Sequence, residues 1–367
     1  MTDKVIHVTQ PSLAPLDEYV AYLRSIWETG VLTHNGPMVQ RLERELKEYL
    51  GVEHVICVAN GTCALQLAIR ALNLSGEIIT TPFSFIATAS IISWERCRPV
   101  FVDIDADTWN IDAGLIEEAI TDKTSAILPV HVFSAPCDVA RIAAIATRYG
   151  LKVIYDAAHA LGVQVRGSSV LRCGDVSAVS LHATKLLNTA EGGVCVTRDR
   201  ALADRIKRLR FFGYDDNKDI VDDGMNAKMS EVHAALGLAN LSRLGQFRSS
   251  RRDKYELYRG LLAGVSHVRL QRISPEEYNF SYMPVVFDDE DILLRVLKRL
   301  KENGIHPRRY FYPSLNTVRV FQPQSYLPVS ESVARTVLCL PLYDRLSSED
   351  IERICQCVAS ASERAGV

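Results

Sequence analysis

An α/β fold with a mostly parallel central sheet, followed by a smaller C-terminal α+β domain, is what this sequence predicts. Three observations carry the prediction. From residue 55 onward, short apolar runs alternate with stretches of helical spacing. The links between them lack hairpin turn signals, so the strands are expected to be joined by right-handed crossovers. Past residue 245 the proportion of strand to helix changes, which divides the chain into a large domain, residues 1–245, and a small one, residues 246–367.

The elements follow in order. A helix is expected over residues 16–27, then a loop over 30–37 that ends in the turn signal Asn35-Gly36-Pro37. Val39, Leu42, Leu46 and Leu50 stand at helical spacing and predict a second helix. Strands are expected at 55–58, 78–81, 100–102, 126–130 and 152–155, with helices at 64–72, up to Trp94, at 113–120 and at 139–148. Two further apolar runs, 176–181 and 194–196, flank a polar loop. A helix over 198–212 carries arginine and lysine on one face, and Ser230 is a candidate N-cap for a long helix running past Ser250. Beyond it come strands at 268–270 and 278–286, a helix at 289–303, a strand or loop at 307–312, and helices at 330–338 and 347–358. The last opens on Ser347-Ser348-Glu349-Asp350, which resembles a capping box.

The whole chain narrows the class. Its 367 residues suffice for two cores, and 47% hydrophobic residues is an ordinary globular share. A net charge of -2 offers nothing to a polyanion, so no nucleic-acid partner is expected. No apolar run approaches a membrane span, and the start, Met1-Thr2-Asp3-Lys4-Val5-Ile6-His7, lacks a signal-peptide pattern. The nine cysteines are scattered, several inside apolar runs, as in a reducing compartment; a cytoplasmic location is expected. Cys355-Gln356-Cys357 resembles a metal clip, but no second pair or nearby histidine completes it, and no metal is expected.

In a parallel sheet, ligands bind beyond the carboxyl ends of the strands, so the residues just after each strand matter most. Lys185 lies between the runs 176–181 and 194–196, beside hydroxyls and glycines. An amine in a partly dry site can lose its proton and attack a carbonyl; the plainer alternative is a loop lysine. Asp156 ends a strand, where a carboxylate needs a partner: a protonated ring nitrogen, a structural arginine or a helix N-terminus. His159 stands three residues on, beside the same ligand or packed in the interior. Gly61 and Thr62 open a helix after the first strand, which makes either an anion site or an ordinary cap. Ser180 offers another hydroxyl. Phe85 offers a flat apolar face or a core contact. His131 also follows a strand. Together a phosphate cradle, a stacking face, a carboxylate for a pyridinium and an amine for an aldehyde meet the needs of pyridoxal 5′-phosphate.

The motifs Asn60-Gly61-Thr62-Cys63, Thr81-Pro82-Phe83-Ser84-Phe85, Tyr155-Asp156-Ala157-Ala158-His159, Ser180-Leu181-His182-Ala183-Thr184-Lys185, Glu191-Gly192-Gly193 and Gly224-Met225-Asn226 occur in that order. With them the chain resembles, over nearly its whole length, the fold-type I sugar aminotransferases of the DegT/StrS family. The resemblance implies that Lys185 forms the Schiff base and that Asp156 pairs with the ring nitrogen. It implies that Phe85 stacks on the ring and that His159 lies by the ring hydroxyl. Gly61, Thr62, Cys63 and Ser180 would hold the phosphate, Cys63 through its backbone N–H. Asn226 would reach the phosphate from a second subunit, which implies a homodimer with shared sites. L-Glutamate would be the donor, 2-oxoglutarate the co-product and pyridoxamine 5′-phosphate the form between half-reactions. The acceptor implied is a nucleotide-linked 4-keto-6-deoxyhexose, with dTDP-4-keto-6-deoxyglucose favoured. Amination at C3, or a GDP or UDP carrier, is the alternative; a dehydratase or a non-enzymatic regulator is a remoter one. Thr33 and Asn35 in the first loop are candidate substrate residues, as are Arg308, Tyr310 and Tyr312, whose guanidinium and phenols suit a nucleotide.

Overall fold

The structure is a computed structural model, and it describes residues 5–273, 278–321 and 325–363. The first four residues, part of the stretch read for a signal peptide, lie outside the described residues. The chain opens on a short strand, β1 (Ile6–His7), and two helices, α1 (Leu16–Thr29) and α2 (Pro37–Leu50). The alternation then begins: β2 (His54–Val58), α3 (Gly61–Ala71), β3 (Glu77–Thr80), α4 (Ile86–Trp94), β4 (Arg98–Phe101), β5 (Thr124–Leu128), α5 (Val139–Tyr149) and β6 (Lys152–Asp156). A small hairpin of β7 (Gln164–Val165) and β8 (Ser168–Ser169) precedes β9 (Val176–Ser180), β10 (Gly193–Thr197) and α6 (Arg200–Leu209).

Seven strands form the central sheet in the order β2-β10-β9-β6-β5-β3-β4. All neighbours are parallel except β10, which runs antiparallel to both β2 and β9. The mostly parallel sheet is therefore as expected. Alternate residues of each strand feed opposite layers. Val55 and Cys57 join a core with Leu42 and Leu46 of α2, while Ile56 and Val58 join another with Leu65 and Leu67 of α3. The register aligns Gly193 with both Ser180 and Val58, so β2 and β9 end, and β10 begins, on one edge of the sheet.

The long helix expected past Ser250 is two, α7 (Glu231–Leu241) and α8 (Leu244–Leu262). Ser230 caps the first by accepting the His233 N–H. The remainder holds β11 (Val268–Leu270), β12 (Met283–Phe287), α9 (Glu290–Glu302), β13 (Ile305–His306), α10 (Pro328–Thr336), β14 (Val337–Leu340) and α11 (Ser348–Ser362). β11, β12 and β14 form an antiparallel sheet under α8, α9 and α11, whose side chains share one core. β1 pairs with β13, and Ile6 is buried in that same second core. Leu244 and Phe247, at the start of α8, pack in the first.

Three expected elements differ. Residues 113–120 close only a short 3₁₀ turn, Glu117–Ala119; the Asp112 carboxylate takes the Gly114 N–H and starts the segment as a turn. The strand expected at 278–286 is confined to Met283–Phe287, because Phe280 stands at φ 58, outside the extended region. Helix 330–338 stops at Thr336, and Val337 turns into the buried strand β14.

Candidate active site

A cavity of about 550 Å³ opens at the sheet edge just described. It collects Gly61, Thr62, Phe85, Asp156, His159, Ser180 and Lys185, together with Arg308 and Tyr310 from the C-terminal part. Its depth is set by the ends of β6 and β9, and its roof by residues before β12 and after β13.

The N-terminus of α3 forms one wall. Asn60 caps it, accepting the Cys63 N–H at 2.8 Å. A Cβ on Gly61 would stand 2.9 Å from Ser180 Cβ, so only glycine lets the helix start meet the end of β9. A Cβ on Gly193 would stand 2.4 Å from the Asn60 carbonyl carbon. These two glycines leave a shallow cradle of N–H groups and hydroxyls, a ready seat for an anion.

Asp156 is buried. Its Oδ2 accepts from the Thr88 hydroxyl at 2.7 Å, and its Oδ1 accepts from the Ala158 N–H at 3.1 Å. Ser84 stands 2.7 Å from the same Thr88 hydroxyl. Thr88 spends its one proton on the carboxylate, so Ser84 is the donor to Thr88. Burial pushes the carboxyl above its usual range, against the pull of these donors and of Lys185. A cationic partner in the cavity would relieve that cost.

Lys185 is half-buried in the link between β9 and β10. Its Nζ donates to the Tyr282 hydroxyl at 3.0 Å. Burial pulls the amine down to about 8, with Tyr310 and Asp156 resisting. At pH 7 about a tenth of the amine is therefore unprotonated, far more than at its ordinary value, as a nucleophile or proton acceptor requires. His159 is buried too. Its Nδ1 accepts the Phe133 N–H at 3.2 Å, so the other nitrogen carries the ring proton, and burial keeps the ring neutral. It stacks on Phe133 and Phe311 and meets Tyr282 at 4.4 Å. Phe85 is 53% exposed, which leaves a face of its ring bare beside the cavity.

Several expected residues lie elsewhere. The Cys63 N–H is consumed by Asn60, and its side chain packs against the core behind α3, so it has no group left for an anion. Asn35 Oδ1 accepts from Arg210 at 2.8 Å, and neither it nor Thr33 lines the cavity. Tyr312 lies outside as well, under the Arg309 guanidinium at 3.8 Å. His131 sits beneath the floor, stacked on Tyr155 at 4.7 Å and accepting the Cys137 N–H; burial drives its pKa down to about 3. Asn226 is exposed, outside its own chain's cavity, accepting from Lys228 Nζ at 2.7 Å.

Sequence reasoning missed Thr88, Tyr282, His182 and Glu191 as parts of the site. His182 and Glu191 line the cavity 3.7 Å apart and flank Lys185 within the motifs already quoted. Thr88 and Tyr282 carry no local signal: one is a helix residue, the other sits in an apolar run.

A model of the DegT/DnrJ/EryC1/StrS aminotransferase family matches residues 16–359. The chain is 45% identical to a dTDP-4-amino-4,6-dideoxy-D-glucose transaminase of Shigella dysenteriae, covering 96% of this chain and 98% of the relative. It is 32% identical to a GDP-perosamine synthase of Escherichia coli O157:H7, covering 97% and 98%. Among solved structures it resembles DesI, crystallised in the presence of its TDP-sugar product, with a TM-score of 0.94 and 34% identity over 98% of this chain and 94% of that one.

Proposed function

The chain belongs to the DegT/DnrJ/EryC1/StrS aminotransferase family, and we propose from that premise that it moves an amino group from L-glutamate to C4 of dTDP-4-keto-6-deoxyglucose. The products are 2-oxoglutarate and dTDP-4-amino-4,6-dideoxyglucose. The family consists of pyridoxal-phosphate-dependent aminotransferases, and the residues here fit that cofactor. The observation that carries the reading is the meeting, in one cavity, of a lysine amine pulled down to about 8, a buried carboxylate and an anion cradle that a Cβ would fill.

Gly61, Thr62 and Ser180 would hold the phosphate, and Phe85 would cover one face of the ring. Asp156, steadied by Thr88 and the Ala158 N–H, would keep a proton on the ring nitrogen. When bound, the cofactor supplies an aldehyde carbon that bonds amines and a conjugated ring that accepts electrons. The Lys185 amine would hold that carbon between turnovers and, once freed, would take the proton from the donor's α-carbon. His159, held neutral, neither repels the cationic ring nor competes for that proton. Asn226 and the exposed surface around it would complete the partner's phosphate site, which makes the active form a homodimer. All nine cysteines are free, which agrees with a cytoplasmic location; among the described residues no helix is long and apolar enough to cross a membrane.

The choice of sugar rests on the 45% identical transaminase, against 32% for the GDP-linked relative. The test is the purified protein with L-glutamate and, in turn, C3- and C4-keto sugars on dTDP, UDP and GDP. Turnover of the dTDP-4-keto sugar, with 2-oxoglutarate released in equal amount, is expected. Turnover of only a C3-keto or GDP-linked sugar would replace the substrate and keep the reaction class.

A further inference from the structure

We propose that Arg308 is the receptor for the α-carboxylate of the amino-acid donor. The inference rests on the aminotransferase reading and assigns a part of its site to the donor half-reaction. Among the described residues that line the cavity, Arg308 is the permanent cation; the Lys185 amine is pulled down to about 8, His159 is held neutral, and His182 faces Glu191. Among the described residues the Arg308 guanidinium meets no carboxylate, and its contact is the face of Tyr310 at 4.7 Å. Arg309, its neighbour, is already committed. It donates to Glu290 and to the Arg335 carbonyl, both at 2.7 Å, and covers Tyr312 outside the cavity. So only one of the two guanidinium forks is free to take an anion here.

Its position is fixed. The Arg308 N–H and carbonyl exchange hydrogen bonds with Cys339 of β14, at 3.1 and 2.8 Å, which ties this backbone to a buried strand. The wall from Arg308 to the reacting amine is continuous. Arg308 lies on Tyr310, Tyr310 meets Tyr282 edge-on at 6.2 Å, and Tyr282 accepts from Lys185 at 3.0 Å.

The chemistry of the donor selects such a place. Its amine must replace Lys185 at the same carbon, and its carboxylate is attached one bond from the carbon that loses the proton. A receptor for it must therefore stand on the lysine's wall. A guanidinium suits, because its planar fork matches a carboxylate and it enters the contact with no protein ion pair to break. The acceptor is different. The charged diphosphate of a 4-keto sugar lies across the hexose ring from the reacting C4, so it calls for a receptor farther from the reacting carbon than the donor's carboxylate does.

The test compares the wild-type holoenzyme with Arg308→Gln and Arg308→Lys, following each half-reaction separately. The amino donors are L-glutamate and 4-aminobutyrate, which is L-glutamate without its α-carboxylate. In Arg308→Gln the apparent Kd for L-glutamate should rise at least about tenfold, the scale of losing one charge-assisted hydrogen bond at an exposed guanidinium. The use of 4-aminobutyrate and the KM for the nucleotide sugar should stay within about threefold of wild type, since neither would lose a charge pair. Arg308→Lys should fall between, because an ammonium cannot reproduce the fork. Calorimetric binding of glutarate should weaken along with L-glutamate, and matched thermal midpoints would show that both variants fold. An unchanged Kd for L-glutamate in the folded variants overturns the assignment. A loss confined to the nucleotide sugar overturns it as well and returns Arg308 to the diphosphate. A wild type inert to every amino donor would instead overturn the aminotransferase reading beneath it.

Discussion

The amine of Lys185 gives up its proton near pH 8 because it is drawn out of water beside a phenol that stays protonated. The unfolded chain would hold that proton to 10.5. Between the two values, unfolding takes up a proton, so stability rises with pH across this window and the cost of the buried cation is full below pH 8. Lys185→Met should therefore stabilise the cofactor-free protein at pH 7, by about 1–3 kcal/mol after allowance for partial exposure. The gain should shrink as pH rises from 8 to 10.5; thermal unfolding over that range would show it, and a gap that widens would refute it. Tyr282→Phe removes the acceptor of the lysine N–H. We expect the pH midpoint for chemical labelling of Lys185 in the cofactor-free protein to fall, since the charged amine loses a hydrogen bond of about 1.5–3 kcal/mol. Lys185 and Asp156 were legible in the sequence because each follows a strand. Tyr282 was not, because it reaches Lys185 across 97 residues of chain.

At the scale of elements, the site depends on three chain segments meeting within one van der Waals layer. Gly61→Ala would press a methyl onto Ser180 at 2.9 Å and its Cα at 3.2 Å. Neither contact is with the loose end of a long side chain, so α3 must shift. The expected cost is about 1–3 kcal/mol of stability. A larger loss of cofactor affinity should accompany it, readable from the absorbance of the bound cofactor against the melting temperature. Normal affinity at normal stability would show that α3 does not hold the phosphate. Elements with strong local signals were legible: β2, α3, β6 and α9 stand within a few residues of their expected positions. The misplaced ones are decided from far away. The first half of β14, Val337 and Leu338, falls in the expected helix 330–338 because it belongs to a plain apolar run, and only pairing with β12 makes it a strand. β1 and β13 are two residues each, too short for any periodicity to register.

If Asn226 completes the neighbour's site, mixing inactive Lys185→Ala and Asn226→Ala chains should restore activity. Each mixed dimer would hold one intact site, for about a quarter of wild-type activity at equal mixing. Activity no greater than the sum of the separate variants would place Asn226 at its own site. Ile6 is fully buried in the second core, so Ile6→Ala should cost about 2–5 kcal/mol in the unfolding of that part.

The pairing of β1 with β13 also sets an order of events during synthesis. Ile6 and His7 leave the ribosome about 300 positions ahead of their partners Ile305 and His306. At roughly 5–20 residues per second the first strand waits on the order of 15–60 s for its place. β2 waits as well, since its neighbour β10 begins at Gly193. Arg308 emerges just behind β13, within a few residues of the strand that β1 awaits. A nascent chain can thus complete the central sheet while the Arg308 wall of the cavity is still untranslated.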